Sequence, residues 1–175
     1  VAGALLAAIL SDTLFFASPS SVDKDREMAR RLEALAGVDA TVLGRELMAA
    51  RGDVAARTAG DLVDADFKEF EMSGHRVGIA QIEVLDAAPL VARRQEFAAE
   101  LRRVRAEKGL ALVVLLVTDI GKKGSHVWCA GDHVESVEHA FGTPLVDGAA
   151  YLDGCMSRKK QVVPPLEQAL ARRPG

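Results

Sequence analysis

The sequence has few aromatic residues, only two cysteines and no excess of basic charge. Aromatic side chains make up 5% of its 175 residues, too few to form the stacking platforms that bind single-stranded nucleic acid. A net charge of −3 and a pI near 5.8 argue against the broad basic face that duplex binding needs. Cys129 and Cys155 match no metal-ligand spacing. We therefore predict two reduced, buried thiols in a cytoplasmic protein that binds no nucleic acid.

A long hydrophobic run is also missing from the N-terminal part of the chain. Val1–Leu10 is apolar, but ten residues are too few to span a bilayer. A signal peptide is disfavoured because the stretch has no basic start and Asp12 follows it closely. We predict no membrane association. Because the chain starts at Val1 rather than at Met, we expect it to be a piece of a longer protein.

The first third of the chain is predicted to be helical. Val1–Leu10 lacks the alternation of a strand, and Asp23 and Asp25 suit the first turn of a second helix that Gly37 ends. A third helix is predicted over Ala40–Ala50. The inward face of the second helix is predicted to carry Met28, Leu32 and Leu35.

Arg51-Gly52-Asp53 is predicted to be a hinge between two domains, residues 1–52 and 53–175. After it, helical and strand-like segments mix, which predicts an α/β (α+β) fold with a mixed sheet covered by helices. The predicted helices are a short one at 57–63, a long amphipathic one carrying Leu90 and Val104, one at 133–141 and one after Pro164. The predicted strands are 66–72, 76–84, the continuously apolar 110–118, and 126–130.

Three consecutive cations, Arg158, Lys159 and Lys160, are the clearest candidate for an anion site. Arg can hold two phosphate oxygens with its planar fork, and Lys adds a compact charge. In an extended turn, however, at most two of the three would face one ligand, and a solvated basic run is the alternative. Lys68 lies in the predicted strand 66–72, where alternation puts it on the same face as Phe70. It is either a further anion ligand or a structural lysine.

Asp12, at the end of the apolar helix, is either a cap or ion-pair partner or a ligand for a divalent metal. The four histidines pair with no Asp, Glu or Cys at a metal-ligand spacing and are predicted to be structural or exposed. There is no nucleophile motif, glycine-rich phosphate loop or zinc pattern in the sequence. The residues alone indicate part of a phosphate-binding protein and leave the metal undecided.

Four motifs occur in an order that is known from one family. They are Ile9-Leu10-Ser11-Asp12-Thr13-Leu14 with Ser18-Pro19, Asp66-x-Lys68-x-Phe70, Val117-Thr118-Asp119-Ile120, and Ser157-Arg158-Lys159-Lys160-Gln161-Val162-Val163-Pro164. Together they resemble the family II, manganese-dependent inorganic pyrophosphatases of the DHH phosphoesterase superfamily. The last motif is the most specific of the four, and the resemblance covers essentially the whole chain.

The resemblance implies a two-domain hydrolase that splits pyrophosphate into two phosphates. Residues 1–52 would be the end of the metal-binding DHH domain, with Asp12 as its last metal ligand, and 53–175 the DHH-associated domain. Lys68, Arg158 and Lys159 would bind pyrophosphate, while Lys160 and Gln161 match the motif without a direct role. The divalent cations (Mn²⁺ or Co²⁺, with Mg²⁺ at turnover) would be bound mainly by residues preceding this chain. Closure about the hinge would assemble the site, and the full-length protein would be a homodimer.

The sequence departs from the family pattern where most metal ligands should be. The His-x-x-x-Asp-x-Asp and DHH motifs are absent, so the 175-residue chain alone is expected not to hydrolyse pyrophosphate. Two other functions stay open: an exopolyphosphatase or phosphodiesterase of the prune type, and a non-catalytic phosphate- or nucleotide-binding module.

Overall fold

The structure is a computed structural model that describes residues 1–50, 54 and 56–172. The chain forms two compact units, Val1–Val54 and Ala55–Gly175. The predicted hinge, Arg51–Asp53, lies outside the described residues.

The N-terminal unit is helical, as predicted. Its described helices are α1 (Ala2–Asp12), α2 (Asp23–Ala36) and α3 (Ala40–Ala50). Asp25 caps the N-terminus of α2 by accepting a hydrogen bond from the Val22 amide at 2.9 Å. Gly37 ends the helix with a left-handed φ of 63°. None of the described helices is long and apolar enough to cross a membrane.

The core of this unit differs from the predicted face of α2. Leu6 and Leu10 of α1 pack against Ala29 and Leu32 of α2. Leu35, predicted to face inward, is 77% exposed, and Met28 is also exposed. The small side chain of Ala29 is buried in their place, which turns the buried stripe of α2 away from Met28 and Leu35.

The C-terminal unit has the predicted mixed sheet with helices. Its described strands are β1 (Phe67–Met72), β2 (His75–Val84), β3 (Leu112–Asp119), β4 (Gly124–Gly131) and β5 (Ala149–Asp153). They lie in the order β1-β2-β3-β4-β5, and only β2 and β3 run parallel among them. The sequence prediction missed β5, because its five residues form a short strand at the edge of the sheet.

Every residue of the central strand β3 is buried, which explains its continuous apolar sequence. Leu112, Val114 and Leu116 point to a core completed by Val137 and Leu166 of the helices on that face. The alternate residues of β3 point to the opposite face, where the ring of Phe97 lies 5.3 Å from that of Trp128. Helices therefore cover both faces of the sheet.

The described helices of this unit are α4 (Ala59–Ala65), α5 (Ala88–Val91), α6 (Arg94–Lys108), α7 (Val134–Phe141) and α8 (Val163–Ala171). The predicted single helix through Leu90 and Val104 is wrong, because the chain turns at residues 92–93 and separates α5 from α6. Likewise, α4 begins at Ala59 rather than Arg57, since the Thr58 hydroxyl caps it by accepting from the Asp61 amide at 3.1 Å.

Candidate functional site

Lys68 lies on the hairpin formed by β1 and β2. The two turn residues, Ser73 and Gly74, have φ values of 52° and 83°, the left-handed conformation that tight hairpins require. The resulting register puts Lys68 opposite Ile79. Lys68 shares a face of β1 with Phe70, which packs against the core, as the alternation predicted. The lysine side chain itself is exposed.

Arg158 lies beside this hairpin, but its side chain is only 7% exposed. Nη1 donates hydrogen bonds to the carbonyls of Asp66 (2.6 Å) and Ile79 (3.1 Å), and Nη2 donates to Asp66 Oδ1 at 2.8 Å. Ile79 is also the residue opposite Lys68. The guanidinium therefore contacts the residue that is paired with Lys68 in the hairpin.

The segment with the three cations is a π-helical turn, Arg158–Val162, not an extended one. The Ser157 hydroxyl caps it by accepting from the Lys160 amide at 3.3 Å, and the Ser157 carbonyl accepts from the Gln161 amide at 2.8 Å. Arg158 is buried, whereas Lys159 and Lys160 are exposed. The expectation from an extended turn, that at most two of the three cations would face one ligand, therefore does not apply to this helical segment.

Gln161 holds the loop that leads into this turn. Its Oε1 accepts from the amides of Met156 (2.9 Å) and Ser157 (3.0 Å), and its Nε2 donates to the Gly154 carbonyl at 2.9 Å. Three backbone groups that the sheet leaves unpaired are satisfied by one side chain. The motif match at Gln161 thus has a structural explanation.

Gln81 on β2 holds the same loop from the side of the sheet. Its Nε2 donates to the Met156 carbonyl (3.2 Å) and to Thr118 Oγ1 (3.0 Å), and its Oε1 accepts from the Arg158 amide at 3.3 Å. The Ser125 hydroxyl adds a hydrogen bond to the Cys155 carbonyl at 2.6 Å. The cationic turn and the loop before it are therefore hydrogen-bonded to β2 and β4, and Thr118 of β3 supports Gln81.

Asp119, in the third motif, has a positioning role at the end of β3. Its carboxylate is buried and accepts from the amides of Ala87 (3.1 Å) and Lys122 (2.8 Å). Gly121 is required beside it, because a Cβ at that position would lie 2.7 Å from the Leu85 carbonyl oxygen. Asp119 thus fixes the loops that follow β2 and β3.

Asp12 lies at the C-terminal end of α1 in the N-terminal unit, and its side chain is exposed. Three residues in succession, Leu14, Phe15 and Phe16, then adopt left-handed φ values of 47°, 57° and 63°. Such a conformation is unfavourable for residues with a Cβ, so this turn is held by its surroundings. Asp12 and Asp25 both line a cavity of about 350 Å³ in this unit.

No group of three or more His, Cys, Asp or Glu residues in the described part of the chain could hold a metal ion. Asp12 alone does not make a metal site, so the described residues do not by themselves fit the implied cations. His75 and His133 pack ring against ring at 4.2 Å beside a separate cavity of about 350 Å³ that His139 also lines. Their contact agrees with a structural role.

The two cysteines are free, as predicted, and Cys155 is buried as predicted, whereas Cys129 is only half-buried. Burial raises the pKa of the Cys129 thiol to about 12 and also raises the pKa of Cys155. Both thiols therefore stay protonated near neutral pH and are poor nucleophiles.

The family model of the DHHA2 domain matches residues 45–169. This range includes Lys68 and the whole cationic turn. The chain belongs to the DHHA2 domain family. The match confirms the resemblance to the DHH superfamily that the four motifs indicated.

Relatives match almost the whole chain. One from Bacillus licheniformis, named a probable manganese-dependent inorganic pyrophosphatase, is 44% identical over 97% of this chain and 55% of its own length. Another from Methanothrix thermoacetophila, named a manganese-dependent inorganic pyrophosphatase, is 40% identical over 98% of this chain and 56% of its own. The chain spans about half the length of the curated relatives it matches.

A solved structure also resembles this chain. It comes from Methanococcus jannaschii, is described as a family II inorganic pyrophosphatase, and is 39% identical to this chain with a TM-score of 0.87. The likeness covers 97% of this chain and 55% of that one. The α/β architecture with a mixed sheet is therefore confirmed by a neighbour in structure as well as in sequence.

The structure brings together three of the four predicted site residues, since Lys68, Arg158 and the adjacent Lys159 belong to one corner of the C-terminal unit. Asp12 belongs to the N-terminal unit. Sequence reasoning missed Gln81 and the pairing of Asp66 with Arg158. Asp66 stood in the quoted motif, but its separation from Arg158 by 92 positions gave no local signal of contact.

Proposed function

We propose that this chain is the C-terminal, substrate-binding portion of a manganese-dependent inorganic pyrophosphatase that hydrolyses pyrophosphate to two phosphates. The observation that carries the proposal is the 40–44% identity to proteins of that name over nearly the whole chain. Lys68, Arg158 and Lys159 of the C-terminal unit support the proposal, because they offer the positive charge and the hydrogen-bond donors that a phosphate anion needs.

Lys68, Arg158 and Lys159 are the proposed substrate ligands. The exposed ammonium groups of Lys68 and Lys159 can reorient toward phosphate oxygens, whereas the buried guanidinium of Arg158 is fixed. The fixed guanidinium would orient a phosphate group, whereas the two mobile ammonium groups would neutralise the charge that builds up on the phosphate during hydrolysis. Lys160 and Gln161 are given no contact with substrate.

Asp12 is the proposed metal ligand of this chain. Its exposed carboxylate is an oxygen donor of the kind that Mn²⁺ and Mg²⁺ accept. The remaining ligands would have to come from residues outside this chain, which agrees with its matching only about half of each relative. Bound divalent cations would supply an activated water at neutral pH. Residues 1–52 are accordingly proposed as the end of a DHH domain, and the complete protein as a cytoplasmic homodimer.

The test compares the 175-residue chain with a version extended at its N-terminus to the length of the relatives. With Mn²⁺ present, phosphate release from pyrophosphate is expected for the extended protein and not for the 175-residue chain. Activity of the short chain would contradict the proposed division of labour. Failure of the extended protein to act on pyrophosphate would overturn the proposed function.

The same assay separates the alternative activities. Pyrophosphate, tripolyphosphate and a cyclic nucleotide are offered in turn to the extended protein under identical metal conditions. Preference for pyrophosphate is expected. Faster turnover of tripolyphosphate or of the cyclic nucleotide would instead indicate the prune-type alternative, and binding without turnover would indicate a sensing module.

A further inference from the structure

The contacts of Arg158 use one edge of its guanidinium and leave the other free. An arginine has five N–H groups. Both hydrogens of Nη1 and one of Nη2 are donated to Asp66 and Ile79. The Nε hydrogen and the second Nη2 hydrogen have no protein acceptor in the described part of the chain.

Asp66 determines which edge of the Arg158 guanidinium is occupied and which is left free. Adjacent nitrogens, Nη1 and Nη2, donate to the carbonyl and the Oδ1 atom of this one residue. Asp66 therefore takes the end of the planar group. The two remaining hydrogens lie along the Nε–Nη2 side, where they point in parallel, the arrangement that grips two oxygens of a phosphate.

The Nε atom on the free side keeps some contact with solvent even though most of the arginine is buried. Among the described residues, Ser21 Oγ alone is a side-chain oxygen or nitrogen that is both fully buried and without a hydrogen-bond partner. Arg158 Nε has no partner and is therefore not fully buried. A nitrogen without a partner that is not buried retains contact with water. The small exposed fraction of Arg158 therefore includes Nε, one of the two nitrogens on the free side.

We propose that Asp66 is a positioning residue that orients Arg158 so that its Nε–Nη2 side receives a phosphate group of the substrate. The identity of that substrate as pyrophosphate rests on the proposed function. Asp66 acts only through Arg158. It holds the guanidinium at a fixed angle, with Lys68 two residues further along the chain and Lys159 next to Arg158.

A purely electrostatic effect of Asp66 has the opposite sign, which makes the proposal testable. Removing a negative charge near an anion site should strengthen anion binding if charge alone matters. Loss of orientation should weaken it. The variant Asp66→Ala therefore separates the two, and Glu71→Ala is a matched control because Glu71 is an exposed acid of β1 on the face opposite to Lys68.

The experiment titrates the ¹⁵N-labelled 175-residue chain with pyrophosphate and follows the arginine Nε–Hε signals by NMR. The Arg158 signal is identified by its loss in Arg158→Lys. We expect this signal to shift on titration, and Asp66→Ala to weaken binding about tenfold, or about 1.4 kcal/mol. Asp66→Asn keeps an Oδ1 acceptor and should bind within about threefold of the unchanged chain. Glu71→Ala should not weaken binding.

The role of Asp66 and the proposed function can each fail while the other holds, so their tests can be told apart. An unmoved Arg158 signal, or tighter binding by Asp66→Ala, would overturn the inference even if the extended protein hydrolyses pyrophosphate. A shifted signal with weaker binding by Asp66→Ala would support it even if the extended protein were inactive, and the proposed function would then fail alone. If Asp66→Ala does not fold, Asp66→Ser takes its place, because its hydroxyl is too short to replace Oδ1 as the acceptor of Arg158 Nη2. Weaker binding by Asp66→Ser than by Asp66→Asn and Glu71→Ala then supports the inference, and equal binding by all three overturns it.

Discussion

The two units of this chain bury their apolar residues to very different extents. In the C-terminal unit, Leu112 to Val117 are all fully buried between two layers of helices. In the N-terminal unit the buried core is a few side chains of α1 and α2, and Leu35 and Leu5 remain 77% and 52% exposed. Burial of apolar surface is the main source of stability, so the two units are not expected to be equally robust.

This difference matters because the proposed substrate ligands and the proposed metal ligand belong to different units. Lys68 lies on a sheet that is packed on both faces, and Arg158 is hydrogen-bonded to the same sheet through Ile79 and Gln81. A rigid scaffold of this kind can hold a guanidinium at a fixed angle. Asp12 lies at the end of a helix in the less buried unit. The proposed substrate ligands thus belong to the unit with the more extensive core, and among them Arg158 is itself buried, whereas the proposed metal ligand belongs to the less buried unit.

The largest effect is expected from truncating one core leucine in each unit. Leu116→Ala and Leu10→Ala should each lower the free energy of unfolding by about 2–5 kcal/mol, because both side chains are at most 1% exposed. Native-state hydrogen exchange is the measurement. If the units are energetically separate, each variant accelerates exchange in its own unit only. Equal acceleration throughout the chain for both variants would show a single cooperative unit and break the comparison.

Next in size is the loss of Arg158, which tests how far the site depends on the packed scaffold. Arg158→Ala should cost about 1–3 kcal/mol of stability, because it leaves the Asp66 and Ile79 acceptors without their donor. Lys159→Ala removes an exposed cation from the same turn and should stay within about 0.5 kcal/mol. Thermal unfolding measures both. Equal midpoints for the two variants would mean that Arg158 contributes nothing to the scaffold.

A smaller effect is expected in the N-terminal unit, at Gly44 of α3. A Cβ there would lie 1.6 Å from the Phe15 ring, so Gly44→Ala should cost about 1–2 kcal/mol despite its better helix propensity. Gly3→Ala in α1 is the matched control, since its Cβ would meet only Ala36 at 4.0 Å. Chemical denaturation compares them. If Gly44→Ala is as stable as Gly3→Ala, Phe15 is not confined by α3 and the unit is looser than its contacts indicate.

The smallest effect concerns pH and should be confined to the C-terminal unit, which holds all four histidines. Burial, followed by the charge of Lys122, lowers the pKa of His126 below its ordinary value of 6.5. The folded state therefore prefers the neutral ring, and this stabilisation is present above pH 6.5 and lost as the pH falls through the lowered pKa.

The melting temperature of the C-terminal unit should accordingly fall on acidification below about pH 6.5, and less steeply in His126→Gln. Exchange rates of N-terminal amides, corrected for intrinsic pH dependence, serve as the internal control. An identical pH slope in His126→Gln would remove His126 as the cause.

Much of the architecture could be predicted from the sequence because its signals are local. The continuous apolar run of β3, the Ser73-Gly74 turn and the glycine that ends α2 each act within a few residues. The predictions that were wrong also have physical causes. The break between α5 and α6 leaves Leu90 buried in both arrangements, so periodicity could not detect it. The stripe of α2 shifted because α1 packs on Ala29.

The cationic turn shows most clearly what the sequence determined and what it did not. Residue types and their order were enough to select Lys68, Arg158 and Lys159 as candidates and to identify the family. Only the tertiary structure decided that Arg158 is buried with one side free and that Gln81 and Asp66 hold it. Such contacts join residues nearly eighty or more positions apart, and no local propensity encodes them; they exist only once the sheet has formed.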